Sequence, residues 1–296
     1  MHLPPTFRQR LFMTLLLPYL TICLPACAIP LRDLMPATVS SGPGGEELER
    51  MGDSLRERGE LRMAFTQYEK ALMLRPNDPM LIYKEGLVSL AADRKEDALK
   101  EFNKAISINP EFAPAYESMG EVYFRKGEME KSRTYFYKAV KIDPTLWNCR
   151  NKLGLIYDRQ GRHNQAIQEY QIAIELHHQD GVLYNNLGVS YIYKHEYDAA
   201  IAAFNRAIDL NYSDKRVYNN MGLALGRNQR YDAALEAFRK AGSEAQAQNN
   251  LGVMYLNQKD YDKAILAFEK AIELEPTFYV TAGENLKKAR MAKHQQ

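Results

Sequence analysis

The chain has 296 residues, 46% hydrophobic and 26% charged, a balance typical of an ordered globular body rather than a disordered or membrane-embedded one. Its formal net charge is +2, and Arg8 and Arg10 are the ionised side chains of positions 1–26, so the rest of the chain is neutral. No basic excess remains to attract nucleic acid, which argues against a nucleic-acid-binding protein.

Residues 1–26 have the layout of a signal peptide of the lipoprotein type. Arg8 and Arg10 precede an apolar run over 11–24, which Pro18 interrupts, and small residues follow it. The run is too short to favour a retained membrane anchor, because a spanning helix takes about 20 apolar residues. We therefore expect the chain to be exported.

Two cleavage sites compete after the apolar run. The sequence LPAC at 24–27 resembles the lipobox of bacterial lipoproteins, in which the cysteine thiol is acylated and cleavage precedes it. The alternative is cleavage after Ala28, with Ala26 and Ala28 as the two small residues. We favour lipid attachment at Cys27, which leaves Cys149 as the remaining thiol and predicts no disulfide.

Residues 27–45 are predicted to form a flexible tether, because they contain three prolines and three glycines and little periodic apolar content. The r.m.s. span of a flexible chain of this length is roughly 24 Å. A lipid on Cys27 would therefore hold the following body close to a membrane.

The sequence from 46 to 278 repeats with a period of 34 residues, which shortens to 30 in the last interval. Glycine recurs at Gly52, Gly86, Gly120, Gly154, Gly188, Gly222 and Gly252. An aromatic residue stands sixteen positions after each glycine and an alanine nineteen after it. In antiparallel helix pairs, the small residues let the backbones approach and the aromatic fills the gap between one pair and the next. Prolines at 76, 110, 144 and 276 would end the second helices.

This pattern resembles the tetratricopeptide-repeat family across residues 45–278. The resemblance implies an all-α fold, a right-handed superhelical solenoid of seven helix pairs whose concave face is lined by the first helix of each pair. Residues 279–296 are predicted to form a capping helix and tail over the last apolar face, through Leu286, Ala289 and Met291. Glu85 and Ser89 depart from the pattern, since the family has apolar or aromatic residues there.

A peptide-binding groove is predicted on the first helices of repeats four to seven. Positions three and two before the glycine, and one, four and five after it, share one helical face. Asparagines there could pair with the amides of a bound peptide beside an aliphatic strip. The predicted groove consists of Asn151, Asn185, Asn186, Asn219, Asn220, Asn249, Asn250, Val189, Ile192, Tyr193, Leu223, Val253 and Leu256, with Leu155 extending the strip. The alternative is that these asparagines mark ancestry alone. The same face of repeat one carries Glu49, Asp53, Arg56 and Glu57, which predicts a solvated capping end.

Within the repeat family, residues 230–276 resemble the lipoproteins of tight-adherence (Flp) pilus assembly, the TadD family. The resemblance rests on the shortened sixth repeat with its Ala-Gly-Ser-Glu-Ala turn, the lipobox and the overall length. It implies a pilotin-like outer-membrane lipoprotein that faces the periplasm and assists assembly of a secretin or of a type IV-like pilus. Its partners would be secretin or other pilus components, bound through peptide segments.

Two other functions stay open, and neither is enzymatic. One is a periplasmic adaptor lipoprotein that recruits a cell-wall hydrolase or protease, and the other is a structural member of an outer-membrane complex. A soluble periplasmic or secreted protein is the alternative localisation. No catalytic, metal or cofactor site is predicted, because the chain has no HExxH, no CxxC and no glycine-rich phosphate loop, and the adjacent His177 and His178 cannot share a helix face.

Overall fold

The computed structural model describes residues 43–276 and 279–295, and within these ranges the chain forms fifteen α-helices and no strand. The predicted signal peptide, most of the tether and the lipidation site at Cys27 lie outside the described residues. None of the described helices has the length and apolar character that crossing a membrane would require.

The helices form seven consecutive pairs and a final single helix, each packed mainly on its neighbours in sequence. Their bounds are α1 Gly45–Glu57, α2 Leu61–Leu74, α3 Pro79–Ala91, α4 Lys95–Ile108, α5 Ala113–Arg125, α6 Met129–Ile142, α7 Trp147–Arg159, α8 His163–Leu176, α9 Gly181–Tyr193, α10 Tyr197–Asp209, α11 Lys215–Arg227, α12 Tyr231–Ala241, α13 Glu244–Asn257, α14 Tyr261–Leu274 and α15 Tyr279–Lys293. The predicted all-α solenoid with a C-terminal helix is confirmed.

The repeated glycine and aromatic form the contact inside each pair. A Cβ added to Gly86 on α3 would lie 2.5 Å from the ring of Phe102 on α4, and the other six repeats have the same arrangement. The ring therefore fills the space between the two helices of its own pair. The prediction that it lies between one pair and the next is wrong. The reason is that glycine and alanine let the two helices approach across one ring, and Phe102 is fully buried as a result.

Proline is not needed to end the second helices. Helices α2, α4, α6 and α14 end two residues before a proline, as expected. Helix α8, however, ends at Leu176 with His178 in the proline position. This second helix therefore ends at the same position of the repeat as those that proline follows.

The shortened repeat truncates α12 to 11 residues, whereas α14 has 14. Two residues separate α12 from α13, and α13 begins at a capping box, in which the Ser243 side chain accepts from the backbone N–H of Gln246 and the Gln246 side chain accepts from the backbone N–H of Ser243. The chain therefore turns without the usual connecting loop.

Helix α15 covers the last pair. Ala289 is fully buried against α14, and Leu286 packs on the cluster around Phe268. Met291 is exposed, so it takes no part in this cap. The predicted cap is thus made by Ala289 and Leu286.

Candidate peptide-binding groove

The predicted groove residues stand on four first helices that lie side by side, since α7, α9, α11 and α13 each contact the next of the series and α13 contacts α15. Asn151 lies on α7, Asn185, Asn186, Val189, Ile192 and Tyr193 on α9, Asn219, Asn220 and Leu223 on α11, and Asn249, Asn250, Val253 and Leu256 on α13. Ile192 is buried, whereas Val189, Leu223, Val253 and Leu256 are half-buried.

The asparagines bond one another across successive repeats. In each bond an amide nitrogen donates to the carbonyl oxygen of an asparagine on the preceding first helix. The bonds join Asn186 to Asn151 (3.0 Å), Asn220 to Asn185 (3.2 Å) and Asn285 to Asn249 (3.0 Å). We call these bonds the amide rungs. Because each amide has two donors and an acceptor with two lone pairs, capacity remains for a ligand, and peptide contact by these residues stays a prediction.

The series of amide rungs is interrupted between α11 and α13, at the shortened repeat. Asn219 on α11 and Asn250 on α13 are 31 residues apart, whereas bonded pairs are 35 or 36 apart. Within the described residues, neither side chain takes part in a hydrogen bond, and Asn219 is exposed. The loss of four residues therefore takes this pair out of register.

In the first repeats, the positions that correspond to the bonded asparagines hold charged and hydroxyl side chains. Lys84 on α3 donates to Glu49 (2.6 Å) and Asp53 (2.7 Å) on α1, and Tyr83 shares a hydrogen bond with Ser118 (3.1 Å). Lys84 and Glu49 are largely buried. The predicted solvated end is therefore wrong for Glu49, and Asp53 is half-buried, because the neighbouring repeat supplies a cation that the sequence of repeat one does not show.

Two pockets open on the groove between α7, α9 and α11. The first pocket, about 200 Å³, is lined by Leu155, Asp158, Arg159, Tyr170, Asn186, Val189 and Tyr193. The second pocket, about 330 Å³, is lined by Val189, Ile192, Tyr193, His195, Asn220, Leu223 and Arg227. Each has an aliphatic wall, one amide and one guanidinium, and both border Val189 and Tyr193.

Tyr193 is the most exposed of the predicted groove side chains on α9, at 58%. Its ring stacks on His163 with a centroid separation of 4.7 Å and an interplanar angle of 10°. This contact holds a large apolar side chain in place at the pocket edge with one face open to solvent. Such a side chain is typical of protein-binding surfaces.

The carboxylate of the first pocket is turned inward. Asp158 accepts hydrogen bonds from Ser190 (2.6 Å) and Tyr170 (3.2 Å) and contacts His163 Nδ1 (2.9 Å). Burial, and next the charge of Asp158, raise the pKa of Tyr170, so the phenol stays a donor at neutral pH. Asp158 is thus occupied with structural bonds.

The sequence argument missed Arg159 and Arg227 as lining residues. Both stand five positions after a repeat glycine, the position that also holds Tyr193, so the helical face alone could have found them. The signal is weak by itself, because single arginines on a helix surface are usually solvated.

No described residues form a group of three or more side chains suited to a metal ion. Cys149 is buried on α7, and burial raises the pKa of its thiol. The thiol is therefore protonated at neutral pH and a poor nucleophile.

Four tetratricopeptide-repeat family models match the chain, at residues 94–127, 111–177, 185–243 and 245–278. The chain is a tetratricopeptide-repeat (TPR) protein. Its seven helix pairs and side-by-side first helices are the structural counterpart of these matches.

Solved TPR structures share this fold. The C-terminal part of a TPR repeat-containing protein from Cytophaga hutchinsonii is 20% identical, with 80% of this chain and 98% of that chain covered and a TM-score of 0.61. A TPR protein from Parabacteroides merdae is 19% identical, with 83% and 98% covered and a TM-score of 0.55. YrrB, described as a TPR protein with an unusual peptide-binding site, is 25% identical, with 63% and 97% covered and a TM-score of 0.52. No curated protein sequence matches this TPR chain significantly.

Proposed function

We propose that this TPR protein is a pilotin-like lipoprotein of the bacterial outer membrane, which binds a peptide segment of a secretin or another pilus assembly component. The TPR fold supports the coarser part of this function, a scaffold that binds other proteins. The finer part is a hypothesis from the lipobox at 24–27 and from the resemblance of the shortened sixth repeat to the Flp pilus lipoproteins.

The observation that carries the binding role is the pair of pockets between α7, α9 and α11. Together they expose an aliphatic strip and the ring of Tyr193, flanked by hydrogen-bonding amides. Apolar pockets with a few placed polar groups are the usual form of a binding site. The structural likeness to YrrB, which has a peptide-binding site, supports a peptide as the ligand.

Affinity capture from solubilised membranes tests the binding role. The bait is the full chain, compared with a Tyr193→Ala, Val189→Ser groove variant. A Leu266→Ser variant is the matched control, because Leu266 is an exposed apolar side chain on α14, outside the two pockets. We expect mass spectrometry to identify a secretin or pilus protein with the wild type and the control, and not with the groove variant.

The alternatives give other results in the same capture. Recovery of a cell-wall hydrolase or protease in place of a secretin would replace the proposal with the adaptor function. Equal recovery with the groove variant and the control would contradict binding at the pockets. Circular dichroism of each variant verifies that the helices are retained.

Lipid labelling tests the anchor. We expect incorporation of radiolabelled palmitate into the full chain in its host and fractionation with the outer membrane, both lost in Cys27→Ser. Cys149→Ser is the control, because Cys149 is buried in α7. Unlabelled protein that begins after Ala28 would show a soluble exported protein instead.

A further inference from the structure

The first and second pockets repeat one set of chemical groups at adjacent repeats. Their aliphatic walls are Leu155 with Val189 and Val189 with Leu223. The amide is Asn186 in the first pocket and Asn220 in the second, and the guanidinium is Arg159 or Arg227 in the same order. Two subsites that share these groups in series are suited to a ligand that itself repeats, such as a polypeptide segment with recurring side chains.

Neither guanidinium is neutralised within the described part of the chain. Arg159 and Arg227 have no carboxylate within ion-pair distance there, whereas Arg125, five positions after its own repeat glycine, pairs with Glu121 at 2.7 Å. Arg159 lies over the ring of Phe124, 4.9 Å from its centroid. This cation–π contact holds the group at the pocket edge without satisfying its charge.

The carboxylate of the pocket lining is turned inward, with its side chain 12% exposed, whereas Arg159 and Arg227 are exposed. Asp158 is the only carboxylate among the lining residues, and its two oxygens already contact Ser190, Tyr170 and His163. The accessible charge beside the aliphatic walls is therefore positive. Arginine prefers a carboxylate partner, which it can bind through two parallel hydrogen bonds.

We infer that the two pockets bind an acidic segment of a partner protein, in which two aliphatic side chains enter the pockets and neighbouring carboxylates pair with Arg159 and Arg227. Packed helices lie about 8–10 Å apart, and an extended chain rises about 3.3 Å per residue. The two aliphatic residues therefore stand about three positions apart in the bound segment. The inference rests on the proposed peptide-binding function and adds the chemistry of the partner.

Fluorescence anisotropy with two labelled peptides tests this specificity on the full chain. The acidic probe is GELGELGELG, and its matched control is GQLGQLGQLG, which has the same shape without the charges. We expect the acidic probe to bind roughly tenfold tighter or more, as expected for a charge-assisted pair. We expect its affinity to fall as NaCl is raised.

Substitutions then assign the preference to the two arginines. In an Arg159→Gln, Arg227→Gln double variant we expect both peptides to bind alike and the salt dependence to be lost. Arg125→Gln removes a charge at the same position of a neighbouring repeat, where Glu121 already pairs with it, and should leave the preference unchanged. The arginines are exposed, so the fold should survive, and circular dichroism checks it.

Three outcomes overturn the inference: no saturable binding of the acidic probe, equal affinity for the two peptides, or a preference that persists in the double variant. The proposed function is judged separately, by capture of an envelope partner with the wild type and its loss in the Tyr193→Ala, Val189→Ser variant. A groove that captures its partner without preferring the acidic probe would retain the function and reject the acidic specificity.

Discussion

The concave face of repeats one to four and that of repeats four to six have the same helix geometry. They differ in the side chains that bond one repeat to the next. On α1, α3 and α5 the inter-repeat bonds are made by ions and hydroxyls, and on α7, α9 and α11 by amides. The N-terminal face also has a pocket of about 330 Å³, but there Glu121 pairs with Lys152 at 2.8 Å and Glu117 bonds Asn148. Glu121 is thus ion-paired within the protein, and Glu117 accepts a hydrogen bond from a neutral amide.

The two faces differ at the position that follows the repeat glycine. The position after the repeat glycine is Asp53 and Glu121 in two N-terminal repeats, and both are ion-paired. In the later repeats it is Leu155, Val189 and Leu223, which form pocket walls. The amide rungs join the later helices through neutral side chains. The arginines on that face are therefore not used in ion pairs between repeats among the described residues, which leaves their charge available for the proposed ligand.

The largest effect should be common to both regions. In Gly86→Ala and in Gly188→Ala the new Cβ would stand 2.5 or 2.6 Å from the aromatic ring of its pair, so we expect each to cost about 2–3 kcal/mol of unfolding free energy. Gly44→Ala, with no atom within 4 Å of its Cβ, is the control. Thermal unfolding measures the loss, and a much smaller loss in one region would show that its pairs can separate.

The ionic bonds of the first region should show a pH signature. Burial opposes ionisation of Glu49, but hydrogen bonds from Arg75 and Lys84 outweigh it and lower the pKa. A lowered pKa means that the stabilisation is present above the unfolded pKa near 4.5 and is lost as the pH falls through the folded value.

Lys84→Met should therefore cost about 2 kcal/mol at pH 7, because it leaves the largely buried Glu49 and the half-buried Asp53 with fewer partners. The difference in unfolding temperature between the wild type and the variant should shrink as the pH is lowered from 7 to 3. Lys100→Met, at an exposed pair with Asp97, is the control and should change little at either pH. A pH-independent loss in Lys84→Met would mean that its methylene packing, rather than its charge, stabilises the repeat.

Glu85 lies in the same region as Glu49, but its pKa is raised and not lowered. It stands one position before the repeat glycine, where repeats four, five and seven have buried leucine, and it is only 5% exposed. Burial, and next the charge of Glu101, raise its pKa to about 7. Because the folded state holds this proton more tightly, stability falls as the pH rises from about 4.5 to 7.

Glu85→Gln should accordingly stabilise the protein by about 2 kcal/mol at pH 8 and have little effect at pH 4. Glu47→Gln, at an exposed position on α1, is the control. Chemical denaturation at the two pH values measures both variants. Equal effects of Glu85→Gln at pH 4 and pH 8 would contradict a raised pKa.

The repeat period predicted the fold because each glycine and its aromatic partner report a contact within one pair, at fixed sequence spacing. The aliphatic strip and Tyr193 were predictable in the same way, from one helical face. The amide rungs and the Lys84 cluster were not, since they join side chains about 35 residues apart, and helical periodicity within a repeat carries no information on that register. Arg159 and Arg227 have no ion-pair partner among the residues that the structure describes. This depends on their neighbours in space, so the helical face could supply their position and not their charge environment.

The smallest predicted change in unfolding free energy concerns the amide rungs, and two adjacent residues of α11 test it. Asn220 donates to the buried Asn185, so Asn220→Ala leaves a buried carbonyl without this partner and should cost about 1–2 kcal/mol. Asn219 is exposed and makes no side-chain hydrogen bond within the described residues, so Asn219→Ala should change stability by less than about 0.5 kcal/mol. Both substitutions remove the same atoms from one helix, so helix propensity cancels between them. Chemical denaturation measures the difference, and equal losses would mean that the amide rungs add nothing to packing between repeats.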